Sequence, residues 1–328
     1  MEQTMNIQTL CVRLFATLVL LTGSTFVQAQ PYPSKPVRMV VPYAPGGAPD
    51  VLARALGIGL AESFGQQFVV ENKPGAGGIG AAELVARAPG DGHLLFFSDI
   101  QQLAINPYLF KKLPYDAGRD FVPISLAATI PLYIAAQSSL NIHNLADLVA
   151  YAKANPGKLN YGSSGIGSIH HIAMEALLAS LKIQATHVPY RGAGQSVPAF
   201  MGGETALVIA AYPQLSGHVD TGKARFVAVT TAKRAAQAPN VPAVAETVPG
   251  YDFSSEMGIV APAGTPAVVV DRLAAAIGKA LKDPATVQRL NGMGAAVVAS
   301  SPAGYRENIQ SNLIKFKSAI ELTGLKPE

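Results

Sequence analysis

An α/β fold, with parallel or mixed sheets flanked by helices, is what this 328-residue chain predicts. Two observations carry the expectation. Short apolar runs alternate with amphipathic stretches along almost the whole length, the signature of sheets covered by helices. Three glycine-rich loops also stand where a strand should hand over to a helix. They are Pro45-Gly46-Gly47-Ala48-Pro49-Asp50, Pro74-Gly75-Ala76-Gly77-Gly78-Ile79-Gly80 and Gly162-Ser163-Ser164-Gly165-Ile166-Gly167-Ser168. Glycine lets the backbone approach a ligand closely, and a helix N-terminus offers unpaired N–H groups and a partial positive charge. In open sheets of this kind ligands lie beyond the carboxyl ends of the strands. One such junction is a weak signal, but three point to a cleft that holds a small anion.

The elements follow in order. Val37–Val41 reads as a buried strand, and 50–64 as a helix with Leu52, Leu56, Leu60 and Phe64 at one-turn spacing. A strand at 68–71, a short helix at 81–88 and a strand at 94–97 come next. Then 132–136 reads as a strand and 144–155 as a helix, stopped by Pro156-Gly157. A strand at 159–161, a helix at 168–181, a strand at 186–190, a helix at 195–201 and strands at 206–210 and 226–230 continue the alternation. Thr265-Pro266 and Ser301-Pro302 each put a capping hydroxyl before an N1 proline. The first opens a helix with Val270, Leu273, Ile277 and Leu281 on one face, the second one with Tyr305, Ile309, Leu313 and Phe316.

The N-terminus is a targeting segment rather than part of this fold. Arg13 precedes an apolar run at 14–21, and Val27-Gln28-Ala29 supplies a small-residue cleavage site, so 1–29 reads as a cleaved secretory signal peptide. Its apolar core is far shorter than the roughly 20 residues that a membrane span needs. The single cysteine, Cys11, falls inside the segment, so the mature chain has no disulfide, thiolate metal site or cysteine nucleophile. The net charge of +4 is scattered and tryptophan is absent, which gives nucleic-acid binding no support. No cofactor is expected. The 300 or so residues that remain suggest two domains.

At this point a resemblance enters, carried by many motifs in one order. They include Tyr32-Pro33-Ser34-Lys35-Pro36-Val37-Arg38, Val41-Pro42-Tyr43-Ala44-Pro45-Gly46-Gly47 and Val70-Glu71-Asn72-Lys73-Pro74-Gly75-Ala76-Gly77-Gly78. Ala104-Ile105-Asn106-Pro107, Leu113-Pro114-Tyr115-Asp116 and Gly157-Lys158-Leu159-Asn160-Tyr161-Gly162 come after them. Val188-Pro189-Tyr190-Arg191-Gly192, Ala228-Val229-Thr230-Thr231-Ala232-Lys233-Arg234 and Ala261-Pro262-Ala263-Gly264-Thr265-Pro266 complete the set. The chain resembles the Bug-type periplasmic solute receptors, the extracytoplasmic binding components of tripartite tricarboxylate transporters. The resemblance implies a two-domain, Venus-flytrap receptor with two crossovers. Domain 1 would be 30–129 plus 255–328 and domain 2 would be 130–254, with hinges at Thr129-Ile130 and 253–256. It also implies a periplasmic, non-enzymatic protein, expected to be a monomer, that binds a small carboxylate or amino-acid-like ligand and serves the membrane components of such a transporter.

The resemblance assigns ligand binding to three stretches. These are 43–50 (Tyr43, Ala44, Gly46, Gly47 and Asp50), 98–102 (Ser98, Asp99, Gln101 and Gln102) and 163–168 (Ser163, Ser164, Gly167 and Ser168). His170, in the next helical turn, could reach a ligand carboxylate, and Tyr190 could flank a ligand body. Departures matter too. Pro49 replaces a hydroxyl residue, 98–103 replaces a glycine- and threonine-rich stretch, and Ile209-Ala210-Ala211 stands where the family has phenylalanine, aspartate and asparagine. With that aspartate lost at Ala210, recognition of the ligand's far end would pass to Asp99, which would repel a citrate-like ligand and suit a nitrogen-bearing one.

Blander readings stand beside these. Asp50 in a first turn can simply cap free N–H groups, Asp99 can pair with a nearby cation, and adjacent His170 and His171 lack metal-site spacing. Two other functions are conceivable. Gly75-Ala76-Gly77-Gly78-Ile79-Gly80 fits a dinucleotide fingerprint, with Asp99 near the ribose-acid spacing. Ser163 and Ser164 invite a secreted-hydrolase reading, although the G-x-S-x-G elbow is missing.

Overall fold

The computed structural model describes residues 32–325, so the leader expected at 1–29 lies outside the described residues. The described residues from Lys35 onward form one compact unit. Ten strands build it, in the order β2-β1-β3-β9-β4-β7-β5-β6, with β8 and β10 also paired to β4. The first half runs β1 (Val37–Val41), helix α1 (Ala48–Phe64), β2 (Phe68–Asn72), α2 (Ile79–Ala86) and β3 (Leu94–Asp99). A buried π-helical turn, Gln101–Ile105, and the short α3 (Asn106–Leu109) follow β3. Next come β4 (Phe121–Gln137), α4 (Leu145–Ala154), β5 (Asn160–Ser163), α5 (Ile169–Leu181), β6 (Thr186–Pro189), α6 (Ala193–Met201) and β7 (Leu207–Ala211). The chain closes with α7 (Tyr212–Asp220), β8 (Ala224–Val229), β9 (Ser254–Pro262), α8 (Ala267–Ala280), α9 (Pro284–Gly292), β10 (Ala296–Val297) and α10 (Pro302–Thr323).

Helix-covered parallel strands occur in two sets, as the alternation predicts. β2, β1 and β3 are parallel, and so are β7, β5 and β6. What joins the sets is antiparallel, because β9 pairs against both β3 and β4. The strand expected at 132–136 is the end of a 17-residue strand, β4. Its stretch from Phe121 to Pro131 lies against β9, whereas Leu132 onward pairs with β7 and β8. One strand therefore belongs to both sheets. The change of partner falls one residue beyond Thr129-Ile130.

Apolar clusters fill the layers, three of them as follows. Val40, Phe96, Val260 and Tyr305 belong to one beneath α2 and α10, while Tyr133, Phe200, Val208 and Leu215 belong to another beneath α6 and α7. The third is shared between the halves: Ile100, Ile105 and Leu109 join Ile134, Ile172 and Leu177, with Phe316, Ala319 and Ile320 from the end of α10. The Tyr251 hydroxyl, donating to the Ala173 carbonyl at 2.7 Å, ties the approach to β9 onto α5. Of the two expected caps, Ser301 accepts from the Gly304 N–H at 3.1 Å. Thr265 does not cap; its hydroxyl donates to the Pro262 carbonyl, 2.7 Å away, and Pro266 itself is the cap residue.

Gly258 shows how tightly β9 is covered. A Cβ built there would stand 2.4 Å from the Tyr305 Cζ and hydroxyl oxygen, and the Ser98 hydroxyl also donates to the Gly258 carbonyl at 3.3 Å. Gly258→Ala is expected to lower stability by about 1–3 kcal/mol, the usual cost of overpacking a filled core. Urea unfolding checks it; a variant as stable as the parent would show that Tyr305 moves aside freely.

Candidate functional site

The three glycine loops are brought together by the turn after β3. Loop one ends in α1, whose cap is Gly47 in extended conformation with no side-chain capping bond. Asp50 ties this loop down. Its carboxylate accepts from the Gly46 N–H at 2.9 Å, the Arg54 guanidinium at 3.1 Å and the Asn72 amide at 2.9 Å. Burial opposes ionisation of Asp50, but those three donors outweigh it and hold the carboxyl below its ordinary value. Asn72 also donates to the Tyr43 carbonyl at 3.0 Å, which joins the end of β2 to loop one. Asp50 is thus a structural clamp, with its oxygens occupied from within the fold.

Loop two meets loop one through Gln102. The Gln102 amide donates to the Gly77 carbonyl at 3.1 Å and to the Tyr43 hydroxyl at 3.4 Å, while its oxygen accepts from the Asp99 N–H at 3.0 Å. A Cβ on Gly78 would stand 2.7 Å from Gln102 Nε2 and 2.8 Å from Pro42 Cβ, at a φ of +77°. Glycine is needed there on both counts. Asn106 donates to the same Gly77 carbonyl at 3.1 Å. Loop three reaches this group from the other half: a Cβ on Gly167 would lie 2.7 Å from Leu109 Cδ1 and 3.9 Å from Gln101 Nε2.

Asp99 sits at the centre with 6% of its surface exposed. Burial pushes its carboxyl up to about 6; the Gln101 N–H, at 2.6 Å, and the Tyr43 hydroxyl oppose the rise, and the Glu256 carboxylate adds to it. Burial also raises the Tyr43 hydroxyl, with the Asp99 charge second. Among the described residues no ion pair includes Asp99. The neighbouring Ser98 side chain faces away, towards Gly258 and Tyr305.

In loop three the hydroxyls serve the backbone. Ser168 accepts from the His171 N–H at 3.2 Å and donates to the Gly165 carbonyl at 2.7 Å, so it caps α5. Ser163 accepts from the Gly165 N–H at 3.0 Å and lies 2.6 Å from His187 Nε2. The His187 ring stacks on His171 at 4.0 Å, and burial drives the two imidazoles down to about 4 and about 3. Both rings are neutral at physiological pH. Ser163 is completely buried and among the described residues no carboxylate hydrogen-bonds His187, so the pair lacks the orienting acid that nucleophilic catalysis uses. Ser164 is half-buried in the same loop. His170 Nδ1 is buried without a partner, and burial lowers that ring to about 4.

Two predicted positions have side chains directed elsewhere. The Tyr190 hydroxyl donates to the Glu204 carboxylate, 3.1 Å away, and Ala210 is packed in the apolar cluster with Tyr133 and Val208. Asn106, Tyr115 and His187 were not among the site residues expected from the sequence, and Gly77 entered only as part of the second glycine loop. Asn106-Pro107 after a buried polar turn was the available signal for one of them. A surface hollow of about 410 Å³ beside Glu175 and Thr186 lies away from the glycine loops, and one of about 770 Å³ is lined by Lys35, Arg38, Glu83, Arg87 and Asp91 together with Gly80 from the end of loop two. Among the described residues no cluster of three or more His, Cys, Asp or Glu could hold a metal ion.

Comparison with known proteins agrees with this geometry. Residues 52–325 match the family described as tripartite tricarboxylate transporter family receptor. Protein BugT of Bordetella pertussis is 32% identical over 302 residues, 92% of this chain and 93% of BugT. The R. palustris Rpa4515 structure with adipate superposes with a TM-score of 0.82 at 31% identity, covering 90% of this chain and all of that one. MatC of Rhodopseudomonas palustris, with bound malate, gives 0.78 at 29% identity over 88% of this chain and all of MatC.

Asp99 carries a stability consequence whose sign is fixed. Its folded pKa of about 6 lies above the ordinary 3.8, so the native state holds the proton more tightly than the unfolded chain. Ionisation therefore costs stability progressively as pH rises between those values, and the full cost remains above them. Asp99→Asn should stabilise the ligand-free protein by about 1–3 kcal/mol at neutral pH and by nothing at low pH. Urea unfolding across that pH range measures it; equal stability of the two proteins at neutral pH would refute it.

Proposed function

Because the chain belongs to the tripartite tricarboxylate transporter receptor family, we propose that it is an extracytoplasmic solute receptor for a small carboxylate-bearing ligand. The observation that carries the reading is the convergence of all three glycine loops on the turn after β3. The starts of α1 and α5 bring free N–H groups and the positive ends of two helix dipoles to one place, and a carboxylate is the complementary ligand. The bound adipate and malate of the two neighbouring structures support the same ligand class.

The protein works without catalysis in this reading, since Ser163 and His187 lack a third member and Asp99 lacks a nucleophile. The Gly75–Gly80 loop is engaged by Gln102 and Asn106 rather than left open for a pyrophosphate. Residues 30–129 plus 255–328 act as one domain and 130–254 as the other, closing on the ligand about the strands where β4 changes partner. Residues 1–29 are removed on export, and the mature protein acts in the periplasm as a monomer that delivers its ligand to the transporter's membrane components. No helix among the described residues is long and apolar enough to cross a membrane.

Thermal-shift screening of small carboxylates tests the reading. A ligand that binds only the folded state, supplied at about a hundred times its Kd, adds about 2.7 kcal/mol to stability. Solution scattering at saturation should then show a smaller radius of gyration as the domains close. No shift with any carboxylate, together with turnover in an esterase screen, would replace the receptor with an enzyme.

A further inference from the structure

We propose that the ligand carries a protonated nitrogen at the end remote from its carboxylate, and that Asp99 and Asn106 recognise that end. The inference rests on the receptor reading above and narrows it to amino carboxylates.

Two buried groups in the converged loops lack a partner of the same kind. The first is Asp99, a buried carboxylate outside every ion pair among the described residues. Every titratable group that acts on it is an acid: Tyr43 from loop one, Glu256 from β9, and Tyr305 from α10. Lys315 and Asp252 act on Glu256, which Asn312 holds at 2.8 Å. A buried carboxylate without a cation is costly unless a ligand supplies one.

The second group is the Asn106 oxygen, on a residue with 0% of its surface exposed. Its amide orientation is fixed by the neighbours. Nδ2 faces the Gly77 carbonyl at 3.1 Å and the Tyr115 hydroxyl at 3.3 Å, and that hydroxyl has already given its proton to the Gln102 carbonyl at 2.8 Å. Both neighbours thus require a donor, so the nitrogen must face them and the oxygen must face away. Asn106 Oδ1 is left with no hydrogen-bond partner. It lies 3.5 Å from the point where a Cβ on Gly77 would stand, with Gln101 Nε2 3.2 Å from the same point. A side chain on Gly77 would crowd both amides, so the glycine lets them stand this close to the loop.

The two groups are connected. Asp99 and Asn106 bracket the π-helical turn, and Gln102 links them through the Tyr43 hydroxyl on one side and the Gly77 carbonyl on the other. Both groups are acceptors: Asp99, charged, takes hydrogen bonds from the Gln101 N–H and the Tyr43 hydroxyl but has no cation, and Asn106 Oδ1, neutral, is unfilled. An ammonium carries three donors and no acceptor, whereas an ionised carboxylate carries only acceptors. The site therefore favours an amine and repels a second carboxylate.

Matched ligands that differ only at the far end provide the test. The pairs are β-alanine with succinate, γ-aminobutyrate with glutarate, δ-aminovalerate with adipate, and β-alanine with 3-hydroxypropionate, titrated calorimetrically into the mature protein. In at least one pair the amine should bind about tenfold tighter or better, and Asp99→Asn should erase that preference. Affinity of wild type for the amine should fall as pH drops through about 6, where Asp99 takes up a proton, and the variant should show no such fall. The pH profile needs no variant and stands whether or not Asp99→Asn folds. Tighter dicarboxylate or hydroxyacid binding in every pair, unchanged in Asp99→Asn, would overturn the amine assignment and leave the receptor reading intact. Binding of no carboxylate in either series would remove both.

Discussion

The backbone ladder between β4 and β9 is the constraint on which the rest of this molecule depends. Nine residue pairs run from Phe121 and Pro262 to Pro131 and Ser254, with two shifts of register on the way. Buried backbone groups must be paired, so a strand that leaves one sheet has to enter another at once. β4 does this between Pro131 and Leu132, exchanging β9 for β7 and β8. The three glycine loops owe their meeting to that exchange. It aims the carboxyl ends of β1 and β3 and that of β5 at the same turn.

The turn is an unusual piece of chemistry for an interior. Gln101, Gln102 and Asn106 are all buried there, together with Asp99. Most of their hydrogen-bonding capacity is satisfied by Gly77, Tyr43 and Tyr115, which makes the network rigid and specific. The same low-dielectric surroundings make an unfilled acceptor such as Asn106 Oδ1 expensive. Asp50 offers the contrast. It too is a buried acid beside a glycine loop, yet Arg54, Asn72 and the Gly46 N–H satisfy it completely. One carboxylate is paired with a cation and the other is not.

Much of this could be read from residues alone. The glycine loops announce themselves because strand, turn and helix start each leave a local mark, and the Ser168 and Ser301 caps follow from the hydroxyl and its position. β9 was invisible for a physical reason. Its first half is polar, Gly258 interrupts it, and its burial comes from strands distant in sequence, so neither period nor composition betrays it. The first half of β4, with Pro123 and Ser125, was hidden in the same way. Site geometry divides along similar lines. That Asp99 stands at the end of a strand was legible, but its lack of a cation was not, because partners from β9 and α10 arrive from residues 256 and 305. The packing of Ala210 against Tyr133 and Val208 was not legible either, since a motif position says nothing of which face of β7 its Cβ takes.

The place of β9 in the sheet also governs when the protein can fold. β3 and β4 are complete by residue 137, yet the strand that fills the gap between them does not begin until Ser254. The shared apolar cluster waits longer still, for Phe316, Ala319 and Ile320 near the end of the chain. Contacts so distant in sequence are slow to form, and until they do two strand edges stand open. A chain emerging from its N-terminus therefore stays uncommitted until its last quarter arrives, which leaves it threadable through a narrow channel for most of its synthesis.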